Sequence, residues 1–341
     1  MMNRTNKVQL IEGTSPFEFL PALSAYLNGP KIYIKRDDII GRSGGGNKFR
    51  KYERIIGDAI SRKCDTLIIA GHSQSNASRG LVGAACQLGL QSVVVCKALI
   101  PNQNDSFLKN GNALLMNVMG AKMVSIKSDD DYLTSMNIVA EQIIRSGGKP
   151  YIIPFGGSNV LGALGYVDCV DEINQQSKAL SIDFPDYIFT ATGSGGTQAG
   201  LISGVRRRNI PSKVIGISVL HKKEEAEKIV GDLTVKTLSE LKIHTNTNEL
   251  IWIDDAFIGE GYGIITRESI ETIQLLARLE GIFLCPVYTA KAMTGLISYI
   301  QSGKIRKDET VVFIHTGGSP LIYAYYDKLF DEQLLNIPRL Q

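Results

Sequence analysis

The strongest constraint on this chain is an alternation that begins at residue 66, where short β-branched apolar runs are separated by stretches with helical spacing. Thr66 to Ala70 reads as a strand, Asn76 to Leu88 as a helix, Ser92 to Cys96 as a strand, 104–119 as a helix, Lys122 to Ile126 as a strand, 132–146 as a helix and Tyr151 to Ile153 as a strand. Repeated β-α-β calls for parallel strands, because each helix carries the chain back so that the next strand starts in the same sense, and the helices then cover both faces. The pattern restarts after Pro154-Phe155-Gly156-Gly157. Strands are expected at Tyr187 to Thr190, Lys213 to Val219 and Thr310 to Ile314, with helices at about Thr197 to Arg208, 266–280 and 289–302. At 341 residues the chain exceeds one ordinary core. The expectation is an α/β protein of two doubly wound, mostly parallel-sheet domains, with functional groups at the carboxyl ends of strands.

Composition narrows the partners. With 37 basic and 34 acidic residues the net charge is +3, which gives no electrostatic footprint for nucleic acid. The dense basic run Arg206-Arg207-Arg208 ends a helical segment, where cations complement the dipole. No run approaches the roughly 18 apolar residues of a membrane span, and residues 1–30 contain charged and polar residues throughout and lack a signal-peptide core. Cys64, Cys86, Cys96, Cys169 and Cys285 are scattered without C-x-x-C spacing, which fits reduced thiols in the cytoplasm. The dispersed His72, His221, His244 and His315 add no metal-ligand pair, so no metal is expected.

Four loops carry chemistry. Ser43-Gly44-Gly45-Gly46-Asn47-Lys48 leads into a stretch where Phe49, Tyr52, Ile55, Ile56, Ala59 and Ile60 share a helical face, so Lys48 begins a helix. Unpaired N–H groups at that end oppose an ammonium, and only the neutral amine attacks a carbonyl, which is what a Schiff-base nucleophile requires. Read alone, the run also fits a surface lysine behind a flexible glycine loop.

Thr192-Gly193-Ser194-Gly195-Gly196-Thr197 joins an expected strand to an expected helix. Its glycines let backbone N–H groups approach an anion, its hydroxyls add donors, and the helix N-terminus adds a favourable dipole. It lacks both the lysine of a P-loop and the G-x-G-x-x-G spacing, so a lone phosphate monoester fits better than a nucleotide, with a tight turn as the alternative. Gly71-His72-Ser73-Gln74-Ser75-Asn76 supplies N-cap residues that can also grip a carboxylate. His315-Thr316-Gly317-Gly318-Ser319 follows an apolar strand, and its glycines allow a flat ligand to approach. His315 fits a buried structural role at least as well as a catalytic one.

A Schiff-base lysine with a separate phosphate cradle implies pyridoxal 5'-phosphate. The chain resembles the tryptophan-synthase-β-like enzymes of fold type II, and within them the D-cysteine desulfhydrase and 1-aminocyclopropane-1-carboxylate deaminase family. The resemblance covers almost the whole chain. It rests on Lys35-Arg36-Asp37-Asp38, Gly45-Gly46-Asn47-Lys48-Phe49-Arg50-Lys51, Gln74-Ser75-Asn76, Gly156-Gly157-Ser158-Asn159, Gly162-Ala163-Leu164-Gly165-Tyr166, the glycine cradle, Gly261-Tyr262-Gly263, Pro286-Val287-Tyr288-Thr289 and His315-Thr316-Gly317-Gly318.

The resemblance implies that Lys48 forms the Schiff base and that Thr192, Gly193, Ser194, Gly195, Gly196 and Thr197 hold the phosphate. Asn76 would lie near the pyridine 3'-oxygen, Tyr262 would stack on the ring, Thr289 would lie near its nitrogen, and Thr316 would add a coenzyme contact. Ser75 would bind the substrate carboxylate or assist proton transfer, with Tyr288, Asn76, Ala77 and Tyr262 also facing the substrate. The cyclopropane deaminases carry an acid at the position of Thr289. A hydroxyl there leaves the ring less electron-withdrawing, which favours β-elimination over ring opening. Ala77 stands where desulfhydrases usually carry histidine and deaminases glutamine, and Cys285 replaces an aspartate. Either change could alter the substrate.

The implied division is a larger coenzyme-binding domain of residues 1–50 plus 165–341 and a smaller α/β domain of 51–164, with the site in the cleft between them, in a homodimer. The expected reaction is α,β-elimination on a small β-substituted amino acid, D-cysteine first, giving pyruvate, ammonia and hydrogen sulfide. Cyclopropane ring opening, sulfite elimination from cysteate and biosynthetic β-replacement are alternatives. Outside this chemistry stand a non-catalytic coenzyme carrier and a nucleotide-binding Rossmann protein.

Overall fold

The alternation closes into two sheets in the computed structural model, which describes residues 6–97 and 105–330. The first part of the chain forms β1 (Phe17–Phe19), α1 (Pro21–Tyr26), β2 (Lys31–Lys35), α2 (Lys48–Ser61), β3 (Thr66–Gly71), α3 (Asn76–Leu88), β4 (Gln91–Cys96), α4 (Asp105–Lys109), α5 (Gly111–Val118), β5 (Lys122–Ser125), α6 (Tyr132–Arg145) and β6 (Pro150–Ile153). There follow α7 (Val160–Ala179), β7 (Tyr187–Thr192), α8 (Gly196–Arg207), β8 (Lys213–Ser218), α9 (Lys223–Glu240), β9 (Trp252–Asp254), α10 (Arg267–Glu280), α11 (Thr289–Gln301), β10 (Thr310–Ile314), α12 (Leu321–Ala324) and α13 (Tyr326–Leu329).

One sheet has the order β1-β2-β10-β7-β8-β9 and the other β5-β4-β3-β6. Every described pairing is parallel except β1 with β2, so the expected mixed α/β architecture with mostly parallel sheets is the one observed. In the second sheet β3 is central and buried along all six residues, as a strand covered on both faces must be. Its register sets Thr66 opposite Gln91 and Gly71 opposite Cys96, so both strands end together.

Phe49, Tyr52, Ile55, Ile56 and Ala59 of α2 are fully buried, and the helix packs on α3 and α7. Ile60, expected on that face, is 40% exposed, because it lies in the last turn beyond the packed stretch. The glycine run before α2 is sterically required. Gly45 has φ +66°, and a Cβ there would sit 2.0 Å from the Asp38 carbonyl oxygen.

Beneath α2 lies a buried charge network. The Arg50 guanidinium donates to Asp37 at 2.8 and 2.9 Å, to Glu172 at 2.7 and 2.8 Å and to the Ser15 hydroxyl at 2.9 Å, while the Tyr166 hydroxyl donates to Asp37 at 2.7 Å. The network ties the segment after β2 to α2 and α7.

The structure departs from the sequence-based expectation in several elements. The single helix expected over 104–119 is two, since Asn110 is extended (φ −122°, ψ −177°) and its side chain accepts the Gly111 N–H at 2.8 Å, starting a new helix. Residue 104 lies outside the described residues. α7, α9, β1, β2 and β9 were not anticipated. α7 packs on α2, α8 and α9 and is buried on several sides, so it carries no single apolar stripe. β1 and β9 are three residues each, too short for alternation to register. Among the described residues no helix is long and apolar enough to cross a membrane.

Candidate active site

The carboxyl ends of β3 and β7, one from each sheet, and the starts of α2, α3 and α8 line one cleft of about 810 Å³, solvent-open space included. Lys48, Ser75, Asn76, Ala77, Thr192, Gly193, Ser194, Gly195, Gly196, Thr197, Tyr262, Tyr288 and Thr316 all line it. Residues far apart in the chain therefore meet at one place.

Thr289 is the exception. It is buried as the first residue of α11, where its Oγ1 accepts the Cys285 N–H at 2.7 Å, and it is not among the lining residues. Cys285 is a small buried residue whose Sγ lies 3.8 Å from Asn76 Nδ2, and burial pushes its thiol pKa up. His315 takes the structural role. It is fully buried, with Nε2 3.0 Å from the Phe283 carbonyl and Nδ1 accepting the Gly317 N–H at 3.2 Å.

Lys48 is the first residue of α2, and burial pushes its pKa down to about 8 against a hydrogen bond with Lys51 that pulls it up. Lys51, one turn further along, is held well below its ordinary value by burial and by the Lys48 charge. The Lys51 amine donates to the Gly156 carbonyl and the Ser158 hydroxyl, both at 3.3 Å. Two amines thus crowd one end of the cleft, and among the described residues no carboxylate lines it. Such a site asks for an anion.

The cradle supplies the place for it. Gly195 is left-handed (φ +79°) and starts α8, and a Cβ on Gly196 would lie 2.5 Å from Ser158 Oγ and 2.9 Å from Lys51 Nζ. Only glycine leaves that space open. The Ser158 hydroxyl bonds Ser194 at 2.7 Å and accepts the Gly196 N–H at 3.2 Å. Asn47 Nδ2 donates to Thr197 Oγ1 at 3.0 Å, joining the start of the lysine helix to the start of the cradle helix. A half-buried amine, a glycine anion cradle and a second lysine beside that cradle fit a phosphorylated aldehyde.

At the other wall Ser75 caps α3, its Oγ accepting the Ser78 N–H at 3.1 Å. Asn76 Oδ1 accepts from Asn112 at 2.7 Å, and the Ala77 carbonyl accepts the Tyr52 hydroxyl at 2.8 Å. Lining groups outside the site expected from sequence include Lys51, His72 and Phe155-Gly156. Lys51 had a signal, since a residue three positions after Lys48 shares its helical face. His72 had none, because its partner, Tyr262, is 190 positions away.

Parallel sheets meeting at a half-buried lysine and a glycine cradle define the class, an α/β enzyme that holds a phosphorylated carbonyl coenzyme. The chain belongs to the pyridoxal-phosphate dependent enzyme family, whose model matches residues 8–317. It is similar to a solved structure described as an ACC deaminase homologue, with a TM-score of 0.86 and 35% identity over 95% of each chain. The fold is that of fold type II, and the coenzyme is pyridoxal phosphate.

Proposed function

We propose that this enzyme carries out α,β-elimination on a small β-substituted amino acid, with D-cysteine as the leading substrate, converting D-cysteine and water to pyruvate, ammonia and hydrogen sulfide. The observation that carries this reading is the make-up of the cleft wall, whose described lining residues include two lysines and no carboxylate. An acid facing the ring nitrogen would keep a proton there and deepen the electron sink. Opening a cyclopropane, which offers no good leaving group, calls for that deeper sink, whereas expelling a thiolate does not.

When bound, the coenzyme supplies delocalisation for the electron pair of a broken Cα–H bond. The chain does the rest. The N–H groups and hydroxyls of Thr192 to Thr197, with Lys51, hold the phosphate against the α8 N-terminus. Lys48 provides the amine that anchors the coenzyme and the base that takes the Cα proton. Ser75 Oγ accepts from Ser78, which leaves its own O–H to donate to the substrate carboxylate beside the N-terminal N–H groups of α3. Asn76, steadied by Asn112, serves the coenzyme 3'-oxygen, and Tyr262 and Tyr288 bound the substrate side. Ala77 offers only a methyl group there, which suits a bulkier or uncharged β-substituent. Thr289 acts one step removed, by fixing the Cys285 backbone.

The 35% identity to the ACC deaminase homologue favours ring opening as a second reading. A panel of both cysteine enantiomers, D-serine, 3-chloro-D-alanine, cysteate and aminocyclopropane carboxylate, read by keto-acid formation, separates them. Pyruvate with sulfide from D-cysteine is expected. 2-Oxobutanoate from the cyclopropane without any sulfide would replace this reading, and silence across the panel would favour a coenzyme carrier.

The same reading divides the chain into a coenzyme-binding domain of 1–50 plus 165–341 and a smaller one of 51–164, in keeping with the membership of the two sheets. It also carries a homodimer, and a cytoplasmic location in keeping with the five free cysteines.

A further inference from the structure

Between the loop before α3 and the start of α11, the cleft wall carries a chain of polar side chains, His72 buried and the two tyrosines half-buried. His72 Nε2 lies 2.8 Å from the Tyr262 hydroxyl, which in turn hydrogen-bonds the Tyr288 hydroxyl, and all three residues line the cleft. The rings meet edge to face, His72 with Tyr262 at 5.6 Å and 80°, Tyr262 with Tyr288 at 6.0 Å and 72°.

The direction of the first link follows from one backbone group. The Gln74 N–H donates to His72 Nδ1 at 3.2 Å, so Nδ1 presents a lone pair and the ring proton resides on Nε2. Burial pushes the His72 pKa down to about 4, which keeps the ring neutral. Nε2–H therefore donates to Tyr262, which leaves the Tyr262 O–H free to donate to Tyr288 in a head-to-tail chain. Burial raises the pKa of both phenols. The hydrogen bond from Tyr262 opposes the rise at Tyr288, whereas that same bond adds to the rise at Tyr262. The Tyr288 proton is then the one left over.

We propose that His72 is a positioning residue which orients a one-way hydrogen-bond chain, His72 to Tyr262 to Tyr288, so that Tyr288 faces the substrate as a hydrogen-bond donor and not as an acceptor. The proposal rests on reading this cleft as the active site. It assigns the hydrogen-bond donor for the negative charge that develops on the β-substituent as its bond to Cβ breaks and the electron pair leaves with that atom: the Tyr288 O–H turns toward the leaving atom, and each group behind it keeps its own proton. It also separates the phenol's work from that of Lys48, which handles the Cα proton.

The test has two arms. In the coenzyme-loaded protein labelled with ¹⁵N-histidine and ¹³C-tyrosine, the His72 signals, identified by their loss in His72→Gln, should show a proton on Nε2 and none on Nδ1. His72→Phe, which keeps a ring but removes the donor, should move the Tyr262 and Tyr288 ring resonances, which are identified by their loss in Tyr262→Phe and Tyr288→Phe. In turnover, kcat of His72→Phe should fall roughly 10- to 100-fold with KM nearly unchanged, and His72→Gln, whose amide can still donate to Tyr262, should regain most of it.

A proton on Nδ1, a charged ring, unmoved tyrosine resonances, or an undiminished kcat in His72→Phe would each overturn the proposal. So would a His72→Gln that folds and loads coenzyme yet recovers nothing. Should no substrate turn over in the wild type, the functional reading fails by itself, and the labelled spectra still decide the direction of the chain.

Discussion

Lys48 owes its reactivity to its surroundings. Desolvation brings its pKa from the ordinary 10.5 to about 8, so the neutral fraction of the coenzyme-free protein grows about tenfold per pH unit up to that value and then levels off. The rate of covalent coenzyme capture, followed by the visible absorbance of the bound form, should track that curve. A rate flat from about pH 6.5 to 8 would contradict it. Lys48→Ala should bind coenzyme without the covalent chromophore and show no turnover. At this scale the sequence is informative where the chemistry is contiguous: the glycine run fixes Lys48, and Thr192 to Thr197 spell out the cradle. It is silent where a role depends on a partner far along the chain, as for His72 with Tyr262.

Among the elements, the start of α8 is the most sensitive to added volume. Gly196→Ala would thrust a methyl group toward Ser158 and Lys51, and coenzyme retention on dialysis should weaken by about tenfold or more, about 1.4 kcal/mol. Retention equal to wild type would mean the phosphate sits elsewhere. The segment carrying Tyr262 is secured differently: the buried Lys291 amine donates to the Ile258 carbonyl at 2.6 Å and the Gly261 carbonyl at 3.1 Å. Lys291→Met leaves both carbonyls without that donor, and a loss of about 1–3 kcal/mol in urea unfolding is expected, with a raised KM as the loop loosens. Strands and helices with one exposed face were legible from their periodicity. α7 was not, because burial on several sides erases the stripe that periodicity detects, and β2 was not, because its place beside β10 is set by a pairing between residues 31–35 and 310–314.

For the molecule as a whole, the Arg50 network ties the chain before the glycine run to α2 and α7. Burial works against the Asp37 charge, but Arg50 and Lys35 overcome it and hold its pKa below the usual carboxylate range. The stability this contributes is present above about pH 4, the unfolded value, and is lost as pH falls through the lower folded value. Asp37→Asn strands part of the Arg50 charge and should cost about 3–5 kcal/mol near neutral pH, with a smaller difference from wild type in strong acid. Equal urea midpoints for the two proteins at neutral pH would refute this.

The bond from Asn47 to Thr197 has a further consequence. It spans 150 positions of sequence and pins the root of the reactive amine to the root of the phosphate seat, so the separation between them is set before any ligand arrives. The protein thereby carries a built-in gauge, and a vitamin analogue whose phosphate arm is one carbon longer should fail to seat both ends at once.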